Sequence, residues 1–315
     1  MPDPKIVKPL LHGKDPDESA ASVPHVLFAG RTTLDAAYFL DELPREDTKV
    51  FARAFRLAPG GPACNAAITH ALLGGRTTLL SAVGCGPAAD LVRAELDRRA
   101  IRLMDMAAGT GYETPMATAL VSASAATRTV VNPPAAHLEM TPPADDWHSA
   151  WGDRPQLVLT DGFYLHETLP LLAALRHAGC PICFDGGSWK PDTERLAPLL
   201  TAAICSERFA VPGTKPGAEA ALRWLAAQDV PHVAVTHGAR PILAVDRGRR
   251  FEIEVEPVEA VDTLGAGDVL HGAFCFYFAA GLDFEDSLRR AADLATRSCK
   301  GPGIDAWCDA QAPQR

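Results

Sequence analysis

Residues 261–276 read Val-Asp-Thr-Leu-Gly-Ala-Gly-Asp-Val-Leu-His-Gly-Ala-Phe-Cys-Phe, so that a glycine-rich turn leads directly into an apolar helical run. Gly265 and Gly267 allow the backbone to approach an anion closely, and the free N–H groups at a helix start favour negative charge. Asp268 lies at the same helix start, where its carboxylate can accept a proton from a hydroxyl. The stretch predicts an anion site beside a general base. A glycine turn that only begins a helix, with an Asp near its cap, would have the same sequence pattern. The turn alone therefore does not distinguish an anion site from an ordinary helix start.

Two better-known phosphate-binding patterns do not fit this stretch. Its glycines lack the spacing of the dinucleotide fingerprint G-x-G-x-x-G, and they lie near the end of the printed sequence, so a dehydrogenase is disfavoured. No segment of the sequence matches the P-loop pattern G-x-x-x-x-G-K-[ST].

The composition narrows the class of protein. The 315 residues are 47% hydrophobic and 22% charged, which is ordinary for a compact globular chain. A net charge of -9 disfavours nucleic acid as a partner. The opening residues lack a signal-peptide core, and no apolar run is long enough to span a membrane, so a cytoplasmic protein is predicted. The eight cysteines are scattered through apolar stretches, which favours reduced, buried thiols.

Short apolar runs alternate with helical patterns along most of the chain. This βαβ rhythm predicts an α/β fold with a mainly parallel sheet covered by helices. Ligands of such sheets bind beyond the carboxyl ends of the strands. The predicted strands lie at residues 26–29, 77–83, 156–160, 182–185, 202–205 and 233–236, and helices are predicted at 169–177 and 218–227.

The predicted domain covers residues 24–315 and follows a proline-rich, charged arm at residues 1–23. Two segments, at about residues 36–57 and 117–132, interrupt the βαβ rhythm and alternate as antiparallel strands do, so they are expected to form a small β lid. Because the lid would have exposed strand edges, a homodimer formed through the lid is predicted.

A second motif identifies a family resemblance. Residues 59–74 read Pro-Gly-Gly-Pro-Ala-Cys-Asn-Ala-Ala-Ile-Thr-His-Ala-Leu-Leu-Gly. This segment and the later Asp-Thr-Leu-Gly-Ala-Gly-Asp turn resemble the N- and C-terminal motifs of the ribokinase-like (PfkB) sugar kinases, in the right order. The resemblance covers roughly residues 25–305. It implies a three-layer ribokinase-like fold and an ATP-dependent kinase that uses Mg²⁺.

The resemblance assigns roles to the motif residues. Asp268 would be the catalytic base, and the backbone amides of its turn would stabilise the transferring phosphoryl group. In the family, an Asp shortly after the first strand would bind substrate hydroxyls, and Asp35 lies at the corresponding position. The implied catalytic set is Gly265, Ala266, Gly267 and Asp268, and the implied substrate floor is Asp35, Gly60, Gly61 and Asn65.

The nucleotide side is implied by three shorter segments. Thr236 and Gly238 lie in a Val-Thr-His-Gly segment expected near the ATP phosphates or ribose, and the glycines of Cys-Lys-Gly-Pro-Gly resemble a loop that wraps adenine. Glu207 would support magnesium through water, although Ser206 replaces an Asn usual in the family. Asp262 and Thr263 would position a monovalent cation such as K⁺ near the anion site. The implied cofactor and metal residues are thus Thr236, Gly238, Thr263, Gly301, Gly303, Glu207 and Asp262.

Within the family, the run at residues 43–49 and the ending Cys-Lys-Gly-Pro-Gly resemble sulfofructose kinases and ketohexokinases. This favours a fructose-like ketose, with Lys49 and Arg128 as lid cations for an anionic substrate tail. Solvated surface charges would explain the same cations. A nucleoside kinase with Phe163 or Tyr164 stacking on a base, or a non-catalytic sugar or nucleotide sensor, remains an alternative.

Overall fold

A computed structural model describes residues 23–122, 124, 127–133, 153–215 and 217–309. The predicted arm at residues 1–23 lies outside these ranges except for Val23. Within the described part of the chain, no helix is both long and apolar enough to cross a bilayer.

Thirteen strands run through the described residues. They are β1 (His25–Ala29), β2 (Thr33–Leu40), β3 (Ala54–Gly60), β4 (Arg76–Ser81), β5 (Arg102–Asp105), β6 (Met116–Ser122), β7 (Thr127–Val131), β8 (Leu157–Thr160), β9 (Ile182–Gly186), β10 (Ala202–Ser206), β11 (His232–His237), β12 (Arg240–Asp246) and β13 (Arg249–Ile253). The predicted strands are therefore present, with ends that differ by up to two residues.

The described helices connect these strands or follow them. They are α1 (Pro62–Leu72), α2 (Pro87–Arg98), α3 (Leu165–His177), α4 (Thr193–Leu196), α5 (Ala218–Ala226), α6 (Ala266–Ala279), α7 (Phe284–Ser298) and α8 (Ala306–Asp309). A short 3₁₀ turn at Ala197–Leu199 follows α4. Helix α3 begins four residues before the predicted start at 169, and its interior contains Pro170.

The larger sheet has nine strands in the order β13-β12-β11-β10-β9-β8-β1-β4-β5. All neighbours from β11 to β5 pair in parallel, and only β12 and β13 join antiparallel. Strands β1, β8 and β9 are buried at every residue, as expected for strands covered on both faces. The chain order reverses at β1, and in open α/β sheets such a point marks the ligand crevice.

The smaller sheet is the predicted lid, with the order β3-β2-β6-β7. Its β2–β3 and β6–β7 pairs are antiparallel, whereas β2 and β6 are parallel. The first lid segment differs from its predicted bounds because β2 begins at Thr33 and β3 begins only at Ala54. The predicted alternation included Phe51, but its side chain is 86% exposed, so no burial favours a strand there.

Helix α6 packs between α1 and α7 on one face of the larger sheet. Gly272 makes the close contact with α1 possible, because a Cβ at that position would overlap the Ala66 carbonyl oxygen. The two helices begin at the two sequence motifs, so their close packing brings those motifs together.

Candidate active site

The two motifs meet in a hydrogen bond between Asn65 and Asp268. Asn65 lies in the first turns of α1 and is buried, and its Nδ2 donates to the Asp268 Oδ2 over 2.7 Å. The residues are 203 positions apart in sequence. Asn65, which is predicted to bind the sugar, is therefore also in contact with the predicted base and orients its carboxylate.

The environment of Asp268 favours proton acceptance. Burial is the largest effect and raises the pKa of Asp268 well above its usual range, and the Asp185 carboxylate raises it further. The hydrogen bond from Asn65 acts in the opposite direction because it stabilises the ionised form, while Asp161 and Asp35 raise the pKa again. A general base works best when its pKa lies near the working pH, so this shift is in the useful direction.

The predicted anion turn is held by Asp262. Gly265 caps α6 in the left-handed conformation with φ 78°, which a glycine adopts without strain. Asp262 is buried, its Oδ1 accepts a hydrogen bond from the Leu264 N–H over 2.8 Å, and its Oδ2 accepts one from the Gly303 N–H over 3.0 Å. Asp262 thus braces the turn and ties it to the loop at residues 301–303.

Asp35 lies on lid strand β2 against the end of β3. Thr33 Oγ1 donates to its Oδ1 over 2.6 Å. A Cβ at Gly60 would overlap the Asp35 carboxylate, and a Cβ at Gly61, where φ is 92°, would overlap the Arg31 carbonyl oxygen. The two glycines therefore leave room for the Asp35 carboxylate and the Arg31 carbonyl, and their predicted contact with a sugar stays a prediction. Burial raises the pKa of Asp35, although Thr33 and Arg31 oppose the shift.

Asp161, which belongs to neither sequence motif and was not predicted as a site residue, directly follows β8 and is 1% exposed. Its Oδ2 accepts hydrogen bonds from the Arg31 and Ala63 N–H groups, and its Oδ1 accepts one from Phe163 N–H, over 2.9–3.1 Å. Burial raises its pKa to about 6. Asp161 thereby joins the ends of β1 and β8 to the start of α1. The rule that functional residues follow strands was the available signal for it.

His271 and Asp185 form a second buried pair that the sequence analysis did not assign. The His271 Nδ1 lies 2.7 Å from the Gly267 carbonyl oxygen and 3.5 Å from the Asp185 Oδ2, and its Nε2 lies 3.0 Å from the Ile204 carbonyl oxygen. The imidazole therefore links the first turn of α6 to strand β10. This link fixes the helix start that carries Asp268.

A cleft of about 450 Å³ opens on the other side of the anion turn. The predicted nucleotide residues Thr236, Gly238 and Thr263 line it together with Ala266 and Gly267. Its far wall is mainly apolar, which suits an adenine ring. That wall consists of Ile242, Val255, Val258, Leu270, Ala292 and Ala295. Gly301 and Gly303 belong to the neighbouring loop, where Gly303 contacts Asp262 as described above.

Glu207 also lines this cleft, but its side chain pairs with the Arg240 guanidinium. Across the residues that the structure describes, no three His, Cys, Asp or Glu side chains are grouped to hold a metal ion. Mg²⁺ keeps several waters and is commonly held by substrate phosphates with one or two carboxylates, and the carboxylates that line this cleft are Glu207 and Glu256.

The two predicted lid cations lie in different places. Arg128 on β7 donates to the Thr263 hydroxyl over 2.8 Å and lines the nucleotide cleft. Lys49 is exposed in the loop between β2 and β3, where its Nζ lies 5.7 Å from the centre of the Phe51 ring. Arg128 thus lies at the predicted phosphate site, whereas no described contact links Lys49 to the other site residues.

The chain is similar to known proteins over most of its length. The profile of the family described as "pfkB family carbohydrate kinase" matches residues 23–309. Ribokinase of Bacillus subtilis is 24% identical over 89% of this chain and 95% of its own length. Mouse ketohexokinase is 23% identical over 89% of this chain and 97% of its own length.

Solved structures of ribokinases have the same fold. The Arabidopsis thaliana ribokinase complexed with ribose and ATP superposes with a TM-score of 0.69 at 19% identity and covers 93% of this chain and 100% of its own. The Thermotoga maritima ribokinase gives a TM-score of 0.70 at 19% identity, over 91% and 96% of the two chains. The match of the family profile to nearly all of the described residues shows that this chain belongs to the pfkB family of carbohydrate kinases.

Proposed function

We propose that this ATP-dependent kinase transfers the γ-phosphoryl group of ATP to a hydroxyl of a sugar, with Asp268 as the general base. The observation that carries the proposal is the position of Asp268. Its carboxylate accepts a hydrogen bond from Asn65 at the first turn of α6, whose Ala266 and Gly267 line the same cleft as Thr236 and Gly238, and the Asp35 charge acts on it from the predicted substrate floor.

The residues suggest how the reaction would proceed. The sugar lies against Asp35 and the Gly60–Gly61 backbone, which orients its hydroxyls. Asp268 accepts the proton of the attacking hydroxyl as the oxygen bonds to the γ-phosphorus and the bond to ADP breaks. The N–H groups of Gly265, Ala266 and Gly267 stabilise the charge on the transferring group. Bound Mg²⁺ would neutralise charge on the phosphates.

We favour a sugar over a nucleoside as the substrate. A nucleoside kinase would need an open aromatic face on which the base could stack. Phe163 is an aromatic residue next to the substrate floor, but its ring is already contacted by Arg31 and Lys190.

The proposed monovalent cation would lie beside Asp262, as an activator rather than a reactant.

The central test is the Asp268→Asn substitution. Asparagine keeps the shape of the side chain but cannot accept the proton, and general-base catalysis contributes about 10²–10⁴-fold. We expect turnover to fall by about that factor while ATP binding stays unchanged. ADP formation should be measured with fructose, ribose, ketose phosphates, sulfofructose, 2-keto-3-deoxygluconate and nucleosides.

Exposed Asp293 on α7 provides the matched control, Asp293→Asn, which should retain full turnover. Unchanged turnover in Asp268→Asn would exclude Asp268 as the base. Ligand-induced stabilisation of the wild-type protein with no ADP formed from any substrate would instead indicate a sugar or nucleotide sensor.

A further inference from the structure

Three adjacent strands of the larger sheet end beside one another near the predicted substrate floor. Arg31 follows β1, Phe163 follows β8, and Lys190 lies in the loop after β9. The Arg31 guanidinium carbon lies 5.2 Å from the centre of the Phe163 ring, and the Lys190 Nζ lies 4.6 Å from the same centre. One aromatic ring thus holds two cations at the carboxyl edge of the sheet.

Neither cation has an ion-pair partner among the described residues. The Arg31 side chain makes no hydrogen bond with them, and the Lys190 Nζ donates only to the Ser188 carbonyl and hydroxyl oxygens. Elsewhere, partly buried arginines are paired, as Arg93 is with Asp105. A guanidinium carries five N–H donors, so Arg31 has donors available for a ligand.

Both residues border the substrate floor. The Arg31 N–H donates to Asp161, and the Arg31 carbonyl oxygen lies against Gly61. The Lys190 Cδ would be 3.3 Å from a Cβ placed at Gly162, directly after Asp161. Burial raises the pKa of Asp35 and of Asp161, and the Arg31 and Lys190 charges respectively oppose these shifts. These two carboxyls, with Asp185 beside Asp161, are thus the acidic groups near the two cations, and they would repel an anion elsewhere on the floor.

We propose that Arg31 and Lys190 form an anion subsite for a carboxylate, sulfonate or phosphate carried by the sugar substrate. The subsite rests on the proposed function, since it requires the sugar to lie on the Asp35 floor. Charge-assisted hydrogen bonds from the two cations bind the anionic group, and the guanidinium can bind it through two parallel N–H groups. The neighbouring carboxylates direct the anionic end to this edge, which leaves a hydroxyl at the other end for Asp268.

The test compares neutral and anionic forms of related sugars. Binding of fructose, fructose 6-phosphate, sulfofructose and 2-keto-3-deoxygluconate is measured calorimetrically without ATP, in the wild type and in Arg31→Gln and Lys190→Gln. A hydrogen bond to a charged group is worth about a tenfold change in affinity or more. We expect wild-type protein to bind at least one anionic sugar about tenfold more tightly than fructose, and each variant to lose about that factor. Fructose binding should change by a smaller factor than anionic-sugar binding does, and the KM for ATP should change by less than about twofold.

Arg290→Gln is the matched control, because the guanidinium carbon of this exposed α7 residue also lies over an aromatic ring, 5.7 Å from the Tyr277 centre. It should bind every sugar as the wild type does. Equal wild-type affinity for fructose and all three anionic sugars would overturn the subsite. This comparison uses the wild type alone, so it does not depend on whether the variants fold. Unchanged anionic-sugar binding in both variants would also overturn it.

ADP formation separates this proposal from the proposed function. If no sugar supports ADP formation while the two variants still lose anionic-sugar binding, the kinase proposal for sugars fails and the subsite stands. If neutral sugars are phosphorylated equally well by the wild type and both variants, and no anionic sugar is preferred, the subsite fails and the kinase proposal stands.

Discussion

At the scale of single residues, the site depends on how Asn65 changes the chemistry of Asp268. Burial and three nearby carboxylates raise the pKa of Asp268, and the hydrogen bond from the Asn65 amide lowers it. The base works only in its ionised form, so activity should rise with pH as the solution passes upward through this raised pKa.

The Asn65→Leu substitution tests this balance. Leucine has a similar size but no donor, so the ionised form of Asp268 loses its hydrogen bond and its pKa rises further. We expect the acid limb of the profile of kcat/KM against pH to begin above the usual Asp range in wild type and to move to higher pH in the variant. A lower kcat with an unmoved limb would contradict this role for Asn65. Exposed Asp90→Asn on α2 should leave the limb in place.

Single residues differ in how well the sequence predicts them. Asp268, Gly265 and Gly267 lie in one local motif, so their chemistry could be predicted before the fold was known. Asp161 and Lys190 each lie alone in a loop after a strand, and no spacing distinguishes them from ordinary surface charges. The bond from Asn65 to Asp268 depends on the packing of two helices that are far apart in sequence, which local patterns do not encode.

At the scale of elements, Arg56 connects the lid to the body of the protein. Its Nη1 donates to the Pro302 carbonyl oxygen over 3.0 Å, and its Nη2 lies 2.8 Å from Asp305 Oδ1. Arg99, directly after α2, donates to the other oxygen of Asp305 over 3.1 Å. Although burial opposes the shift, Arg56 and Arg99 hold the pKa of Asp305 below its usual range.

We expect Arg56→Gln to loosen lid strand β3. The loss of this partly buried ion pair should lower the free energy of unfolding by about 1 kcal/mol and raise the KM for the sugar. Hydrogen exchange of the backbone amides at residues 54–60 should become faster. Arg53→Gln is the control, because Arg53 pairs with Asp41 in a largely exposed position. Identical exchange in wild type and Arg56→Gln would contradict the connection.

The elements themselves were predicted well where burial decides them. The apolar runs of β8 to β11 gave their strands within two residues, because burial on both faces requires apolar residues throughout. The lid was predicted less accurately. Its β2 strand pairs in parallel with β6, and a parallel pairing between distant segments cannot be derived from the alternation within either segment.

At the scale of the whole molecule, the outer face of the lid is apolar. Tyr38 lies an odd number of residues after Asp35 on β2, so its side chain points away from the substrate floor. Tyr38 and Phe55 are 38% and 55% exposed, and their ring centres are 4.9 Å apart. Leu57, Met116 and Val131 are also exposed on the lid strands. Such a patch is typical of a surface that contacts another protein.

The predicted homodimer can be tested through this patch. Sedimentation velocity should show a dimer for the wild type and a monomer for the double variant Tyr38→Asp, Phe55→Glu, because buried charges at an interface are costly. Val23→Glu, which adds a charge at another exposed apolar residue, should remain dimeric. A monomeric wild type at micromolar concentration would contradict the dimer.

The loop at residues 301–303 has a consequence for how the two substrates affect each other. Its Pro302 carbonyl is held by the lid through Arg56, and its Gly303 N–H is held by Asp262, which also braces the anion turn. Closure of the lid over a sugar and ordering of the turn around a phosphate would therefore stabilise the same loop. We expect positive cooperativity between sugar and nucleotide. By thermodynamic reciprocity, each would then tighten the equilibrium binding of the other by an equal factor.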